Sequence, residues 1–191
     1  MASFGAYEIV GVVFAILNVL LAIKEYRSCW IAAIISCLAY VPTFYFARLY
    51  TEVVLQFFFI ALAIVGWINW RKENNSKVLN ISSFDSSQHF YAISISLSFA
   101  VAFGMFLTLY SNASFPFIDS IVTCFSITTA YMQAKKILEN WIYWILIDSL
   151  ALVMYIKKGM MLTAGLYGLY LILASIGYLE WKKIKGAQTP T

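Results

Sequence analysis

The sequence predicts an all-α integral membrane protein of seven transmembrane helices. Three observations predict it: the composition, the spacing of long apolar runs, and the way Lys and Arg fall between them. The chain has 191 residues, 62% of them hydrophobic and only 12% charged, with a mean hydropathy of +0.81. Soluble domains run at about half apolar and about a quarter charged. A water-soluble fold has nowhere to put so many apolar side chains, so the bilayer is the expected solvent. Period-2 alternation with turn signals, which a membrane β-barrel requires, is missing.

The spans follow in order from the breaks between them, each near the roughly 17 to 25 residues that cross a bilayer. The first, 6–23, carries one charge, Glu8 near its start, and ends at Lys24, and the second, 29–47, runs from the Arg27 break to Arg48. The third, 53–70, lies between Glu52 and Arg71. A polar linker, ENNSKVLNISSFDSSQ (73–88), precedes span four at 89–110, which opens on the single histidine, His89, expected at the cytoplasmic surface. Span five, 117–133, ends before Lys135 and Lys136. Span six, 141–156, ends before Lys157 and Lys158, and span seven, 160–181, before Lys182 and Lys183. The N-terminus lacks a basic region and a small-residue cleavage site, so the first run is expected to stay as a helix. Cys29, Cys37 and Cys124 lie in apolar runs without metal-ligand spacing and read as small buried hydrophobes.

Orientation follows from the cations. One side receives Lys24, Arg27, Arg71, Lys72, Lys77, Lys135, Lys136, Lys182, Lys183 and Lys185; the other receives Arg48, Lys157 and Lys158. Ten against three places the C-terminus in the cytoplasm and the N-terminus outside. This asymmetry accounts for the net charge of +4 without a nucleic-acid partner.

Sliding the chain against itself by 111 residues brings anchors into register. Glu8 falls on Asp119, Lys24 on Lys135, Trp30 on Trp141, Gly66 on Gly177 and Trp70 on Trp181. The clearest block is ALAIVGWINWRK (61–72) against ILASIGYLEWKK (172–183). A unit of three spans is odd, so two directly fused copies would be inverted. Span four has no counterpart and restores the orientation. The expected architecture is therefore 3+1+3, with parallel repeats about an axis along the membrane normal, as in full-length SWEET-type carriers. The expected division is 1–72 for the first unit, 73–116 for linker and span four, 117–185 for the second unit and 186–191 for a cytoplasmic tail. Substrate sites of such carriers lie at the repeat interface near mid-membrane.

The halves differ where ligand chemistry breaks the symmetry. In ENWIYWILID (139–148), Trp141 has a partner in Trp30, whereas Trp144 corresponds to Ala33 and Asp148 to Cys37. Residues 141, 144 and 148 share one helical face, and Asp148 lies roughly 10 Å along the axis from Trp141. Asp148 is the one formally charged side chain near the centre of any span; Glu8, Glu52, Asp119 and Glu180 sit towards ends. A lone ionised Asp at mid-bilayer costs at least ~2.5–3.5 kcal/mol, and no Lys or Arg lies at matching depth. One reading is a solvated or protonated structural Asp bonded to a neighbouring hydroxyl. The other is that the partner arrives as a cationic substrate, with the indoles supplying cation–π attraction of ~2 kcal/mol or more when desolvated. Interfacial packing is the alternative role for Trp141. Gln56 and Tyr167, in register at the same offset, and Tyr40 with Phe44 on the Trp30 helix are further candidates for lining a central site. Gln56 reads equally as an interhelical hydrogen bond and Tyr167 as packing; Asn18, Thr123, Thr128 and Gln133 are weaker candidates.

With the repeat and the W-x-x-W-x-x-x-D string in place, the sequence resembles the Pnu-type bacterial vitamin transporters over nearly its whole length, from Glu8 through GWINW to GYLEW. The resemblance implies a SWEET-like fold in the bacterial inner membrane and facilitated diffusion of a vitamin. It also implies trapping of the substrate by a cytoplasmic kinase, no cofactor, and the homotrimeric assembly seen in some members. It implies that Trp141 and Trp144 stack on the ligand and that Asp148 hydrogen-bonds it. The nicotinamide riboside carriers of the family have Asn at that last position. A carboxylate only accepts hydrogen bonds and suits a cation rich in donors, so the expected substrate is thiamine, with nicotinamide riboside as the alternative. A proton-coupled symporter using Asp148 is a further alternative.

Rival classes fare worse. An intramembrane enzyme needs a nucleophile with a base, or clustered His and acids, and one surface His with one central Asp supplies neither. A retinal protein needs a Lys in the last span, and 160–181 has none. No phosphate-binding G-x-x-x-x-G-K-[ST] loop is present for ATP hydrolysis. A membrane sensor or scaffold remains the non-transport alternative.

Overall fold

The computed structural model describes residues 2–46, 50–71, 79–111, 115–157, 159 and 161–188. Arg48, Lys72, Lys77 and Lys158 of the charge map, 73–78 of the polar linker and 189–191 of the tail lie outside the described residues. Among those described, the chain forms seven helices: α1 (Ala2–Ile23), α2 (Cys29–Phe46), α3 (Tyr50–Asn69), α4 (Ser86–Tyr110), α5 (Pro116–Ala134), α6 (Asn140–Lys157) and α7 (Met161–Gln188). Each expected span has its helix.

Four of them are long and apolar enough to cross a membrane by length and composition: Ala6–Ile23, Cys29–Phe46, Glu52–Asn69 and Ser86–Tyr110. The helices α5, α6 and α7 fall short of that measure. Their polar residues include Asp119, Ser120, Ser126, Thr129 and Gln133 on α5 and Asn140 and Asp148 on α6, and all seven of these except Asp119 are buried. Polar groups inside a membrane bundle are turned away from lipid, so the polar content of the second half is interior chemistry.

The chain divides into two compact units, 1–80 and 81–191. The first holds α1–α3, with α2 packed against both α1 and α3. The second holds α4–α7 in sequence order, α4 on α5, α5 on α6 and α6 on α7. Thus α4, expected as a connector between the repeats, packs within the second unit, where the Ser96 and Thr128 hydroxyls meet at 2.6 Å.

Two helix limits repeat at an offset of 111: Ile23 with Ala134 and Cys29 with Asn140. The turn between the first two helices of each set repeats as well. Glu25 (φ 55°) and Lys136 (φ 53°) both take the left-handed conformation, an uncommon one for residues with a Cβ. In the first unit the Tyr26 amide donates to Leu21 O and the Glu25 amide to Ala22 O; in the second, Ile137 donates to Met132 O and Lys136 to Gln133 O, all at 3.0 Å. These paired bonds are the Schellman closure of a helix C-terminus, and its hydrophobic partners Met132 and Ile137 pack in one apolar cluster.

Residues 81–85, the end of the polar linker, are fastened to the second unit. The Ser82 amide donates to Lys136 O (3.0 Å) and the Leu138 amide to Ser82 O (2.8 Å). The Phe84 amide donates to the Glu139 carboxylate at 3.2 Å. Asp85 then caps α4 in a reciprocal box with Gln88. The helix α7 runs beyond the expected span, so 186–188, read as tail, continue it. Its polar extension is held by Lys185 bonding Ser83 and by Gln188 accepting the Ile81 amide.

Candidate functional site

The helix α6 delivers Trp141, Trp144 and Asp148 to one face, and the three have different surroundings. Trp141 is 2% exposed and lies against Gly177 of α7, where an added Cβ would come within 2.6 Å of the ring. Its indole meets Trp181 edge-on, centroids 5.4 Å apart and planes at 88°. In the first unit Trp30 does the same, over Gly66 and against Trp70 at 5.3 Å and 84°. In both, the buried indole N–H of Trp30 or Trp141 has no hydrogen-bond partner among the described residues. The same pair of contacts is thus present in both units, and it has the form of a helix-packing clasp.

Trp144 is half-buried. Its Nε1–H donates to Gln133 Oε1 at 3.2 Å, from the second turn of α6 to the last turn of α5. Its side chain packs against the cluster of Met132, Ile137, Tyr143 and Ile147. Asp148, at the middle of α6, is 5% exposed. Among the described residues no hydrogen bond or ion pair engages its carboxylate. Buried charges are ordinarily paired or coordinated, so this carboxylate is an acceptor in want of a donor.

The face continues past Asp148. Tyr155, two turns further on, stacks on Tyr167 of α7 with centroids 5.2 Å apart and planes at 16°, and Tyr167 meets Tyr170 edge-on at 6.0 Å. Tyr167 is thus tied to the α6 face by aromatic stacking. Tyr155 was missed by sequence reasoning, although its i+7 spacing from Asp148 puts it on the same stripe. Gln133, ranked low from sequence, is the direct partner of Trp144. Tyr40 and Gln56 belong to the first unit: Tyr40 stacks on Phe44 at 5.4 Å and 12°, and Gln56 is 7% exposed on α3. His89 does more than mark a surface, since its Nδ1 lies 2.9 Å from the Tyr143 hydroxyl and its ring stacks on that tyrosine. Among the described residues no cluster of His, Cys, Asp and Glu has the makings of a metal site, and the three cysteines are free thiols.

Comparison with known proteins places the chain in a family. The family model described as nicotinamide mononucleotide transporter matches residues 5–183. The chain is 22% identical to the nicotinamide riboside transporter PnuC of Escherichia coli K12, over 91% of this chain and 84% of that protein. It is 21% identical to the riboflavin/roseoflavin transporter RibM of Streptomyces davaonensis, over 91% and 83% respectively. None of these three descriptions mentions thiamine. A crystal structure of the vitamin B3 transporter PnuC superposes with a TM-score of 0.75 at 21% identity, covering 96% of this chain and 83% of that one, which shows the same fold. With the match running through nearly every helix, the chain belongs to the nicotinamide mononucleotide transporter family of multi-pass membrane proteins.

Proposed function

We propose that the chain carries a flat, cationic heteroaromatic vitamin across the bacterial inner membrane, with nicotinamide riboside as its substrate. Asp148 carries the proposal. A buried carboxylate without a resident donor, one turn from a half-buried indole, is complementary to a cationic aromatic ring bearing hydrogen-bond donors. Nicotinamide riboside supplies the pyridinium charge, and its ribose hydroxyls supply donors. A phosphorylated form would bring a dianion to the same carboxylate, with no Lys or Arg in the central part of α6 to offset it, so the nucleoside fits better than the nucleotide. The names of the relatives support nicotinamide riboside over thiamine, the substrate expected from the Asp alone. Thiamine stays as a second reading because Asp148 stands where the nicotinamide riboside pattern has Asn, and thiamine's amine and thiazolium suit an acceptor-only group.

In this reading Trp144 and Asp148 grip the ligand, Trp141 packs beside them, and Tyr167 is a lining position on α7. Transport is facilitated diffusion by alternating access of two three-helix repeats in a 3+1+3, SWEET-like order, the N-terminus outside and the C-terminus in the cytoplasm. The repeated helix limits support the duplication on which that order rests. A cytoplasmic kinase would trap the product, and a homotrimer is the proposed assembly. Proteoliposomes holding the purified chain test the function. The expected result is saturable uptake of labelled nicotinamide riboside that stops at equal concentrations without any ion gradient. Accumulation driven by an inward proton gradient would replace uniport by symport through Asp148. Uptake of neither nicotinamide riboside nor thiamine would overturn the proposal.

A further inference from the structure

We infer that Gln133 is the positioning residue for Trp144, fixing the plane of the indole that meets the substrate. The inference deepens the proposed function and rests on its reading of α6 as the ligand-contacting helix. Four observations carry it. The indole N–H, a donor only, points to the Gln133 Oε1 acceptor at 3.2 Å. Gln133 is itself 7% exposed, so water competes little for that oxygen. The Gln133 backbone is held by the turn, its carbonyl accepting the Lys136 amide at 3.0 Å, so the acceptor starts from a fixed point. The two partners also occur together: at the 111-residue offset Gln133 corresponds to Ala22 and Trp144 to Ala33. The first half, lacking the indole, lacks its acceptor too. General packing does not explain that coincidence, because Trp141 and Trp30 are retained in both halves and their own N–H groups are unpartnered among the described residues.

The consequence is preorganisation. An indole packed against an apolar cluster and held at its nitrogen by a buried amide has one plane to present, and the ordering cost is met before the ligand arrives. Losing the bond lowers affinity roughly five- to tenfold, the scale of one hydrogen bond.

The test uses the full-length chain in detergent micelles with Gln133→Leu, which removes the acceptor at similar volume, and Gln133→Glu, which retains an oxygen there. Trp144→Phe removes the indole N–H and identifies its resonance by its loss. Without ligand, the ¹⁵N-indole resonance of Trp144 should move in Gln133→Leu and hold in Gln133→Glu; an unmoved resonance in Gln133→Leu overturns the inference. With nicotinamide riboside or thiamine, whichever binds, Gln133→Leu should weaken binding as above, Gln133→Glu should stay within about twofold, and Gln133→Leu should cost nothing further in the Trp144→Phe background. An equal loss in that background would show Gln133 acting independently of Trp144 and would overturn the positioning role. A wild-type protein that binds neither vitamin would overturn the proposed substrate class and with it the positioning role, even with the resonance moved.

Discussion

Replacing Gly177 with alanine puts a methyl group 2.6 Å from Cε3 of Trp141 and 2.7 Å from Cδ2 and Cζ3 of the same ring. Carbon atoms in good contact sit about 3.5–4.0 Å apart, so the ring or the helix must retreat by about 1 Å. The ring has no easy retreat, because its edge contact with Trp181 holds it at 5.4 Å. Overpacking of this kind costs about 1–3 kcal/mol. For a chain of this length each kcal/mol is worth about 2–4 °C, so the melting temperature should fall by about 2–12 °C. Alanine's better helix propensity, worth up to about 1 kcal/mol over glycine, works the other way and is measured by Gly168→Ala, where nothing lies within 4 Å of the added carbon. That control should be neutral or stabilising. Gly66→Ala, which meets Trp30 in the same manner, should behave like Gly177→Ala. Thermal unfolding of the three variants in one detergent, followed by near-UV circular dichroism, supplies the comparison. Equal melting temperatures for Gly177→Ala and Gly168→Ala would refute the clasp and return Trp141 to the ligand.

Asp148→Asn, which installs the residue of the nicotinamide riboside pattern, should weaken thiamine binding by tenfold or more, on the order of 1.4 kcal/mol, and nicotinamide riboside binding by less, measured by tryptophan fluorescence quenching; equal losses would refute the reading of Asp148 as the position that tells the two vitamins apart. Trp144→Ala should abolish detectable quenching, whereas Trp30→Ala should lower stability by about 3–5 kcal/mol with binding kept in the folded fraction. Acid should loosen the first turn of α4. The Asp85 carboxyl is held below its ordinary range because it accepts the Gln88 amide and the Ser87 hydroxyl. A depressed value means the cap is fully present above the ordinary carboxylate pKa, about 4, and is lost as pH falls through the lower native value. Protection of the 86–90 amides, taken relative to the intrinsic exchange rate at each pH, should therefore fall at the acid end in the wild type, while Asp85→Ala should be poorly protected at every pH.

The 111-residue register was legible in the sequence because helices break where the chain turns, and charged residues mark those breaks. Helix limits and even the two left-handed residues obey it, although neither Glu25 nor Lys136 announces its backbone angle. The extension of α7 to Gln188 was not legible. A polar helix end outlives its apolar stretch only if tertiary partners hold it, and here these are Ser83 and the Ile81 amide. Gln133 was ranked low for a related reason: a glutamine near a helix end has many roles, and its bond to Trp144 exists only once α5 and α6 pack together.

What the sequence by itself determined is the membrane character and the seven helices, because hydropathy and its breaks are properties of the string. What the tertiary structure decided is the division of labour along α6. Spacing put Trp141, Trp144 and Asp148 on one face, and the repeat set Trp141 apart without showing what each side chain touches. Packing separates them: Gly177 and Trp181 engage Trp141, Gln133 orients Trp144, and Asp148 is buried with no partner among the described residues. Which side chains a helix face spends on its neighbours, and which it keeps for a ligand, depends on atoms that are distant in the chain.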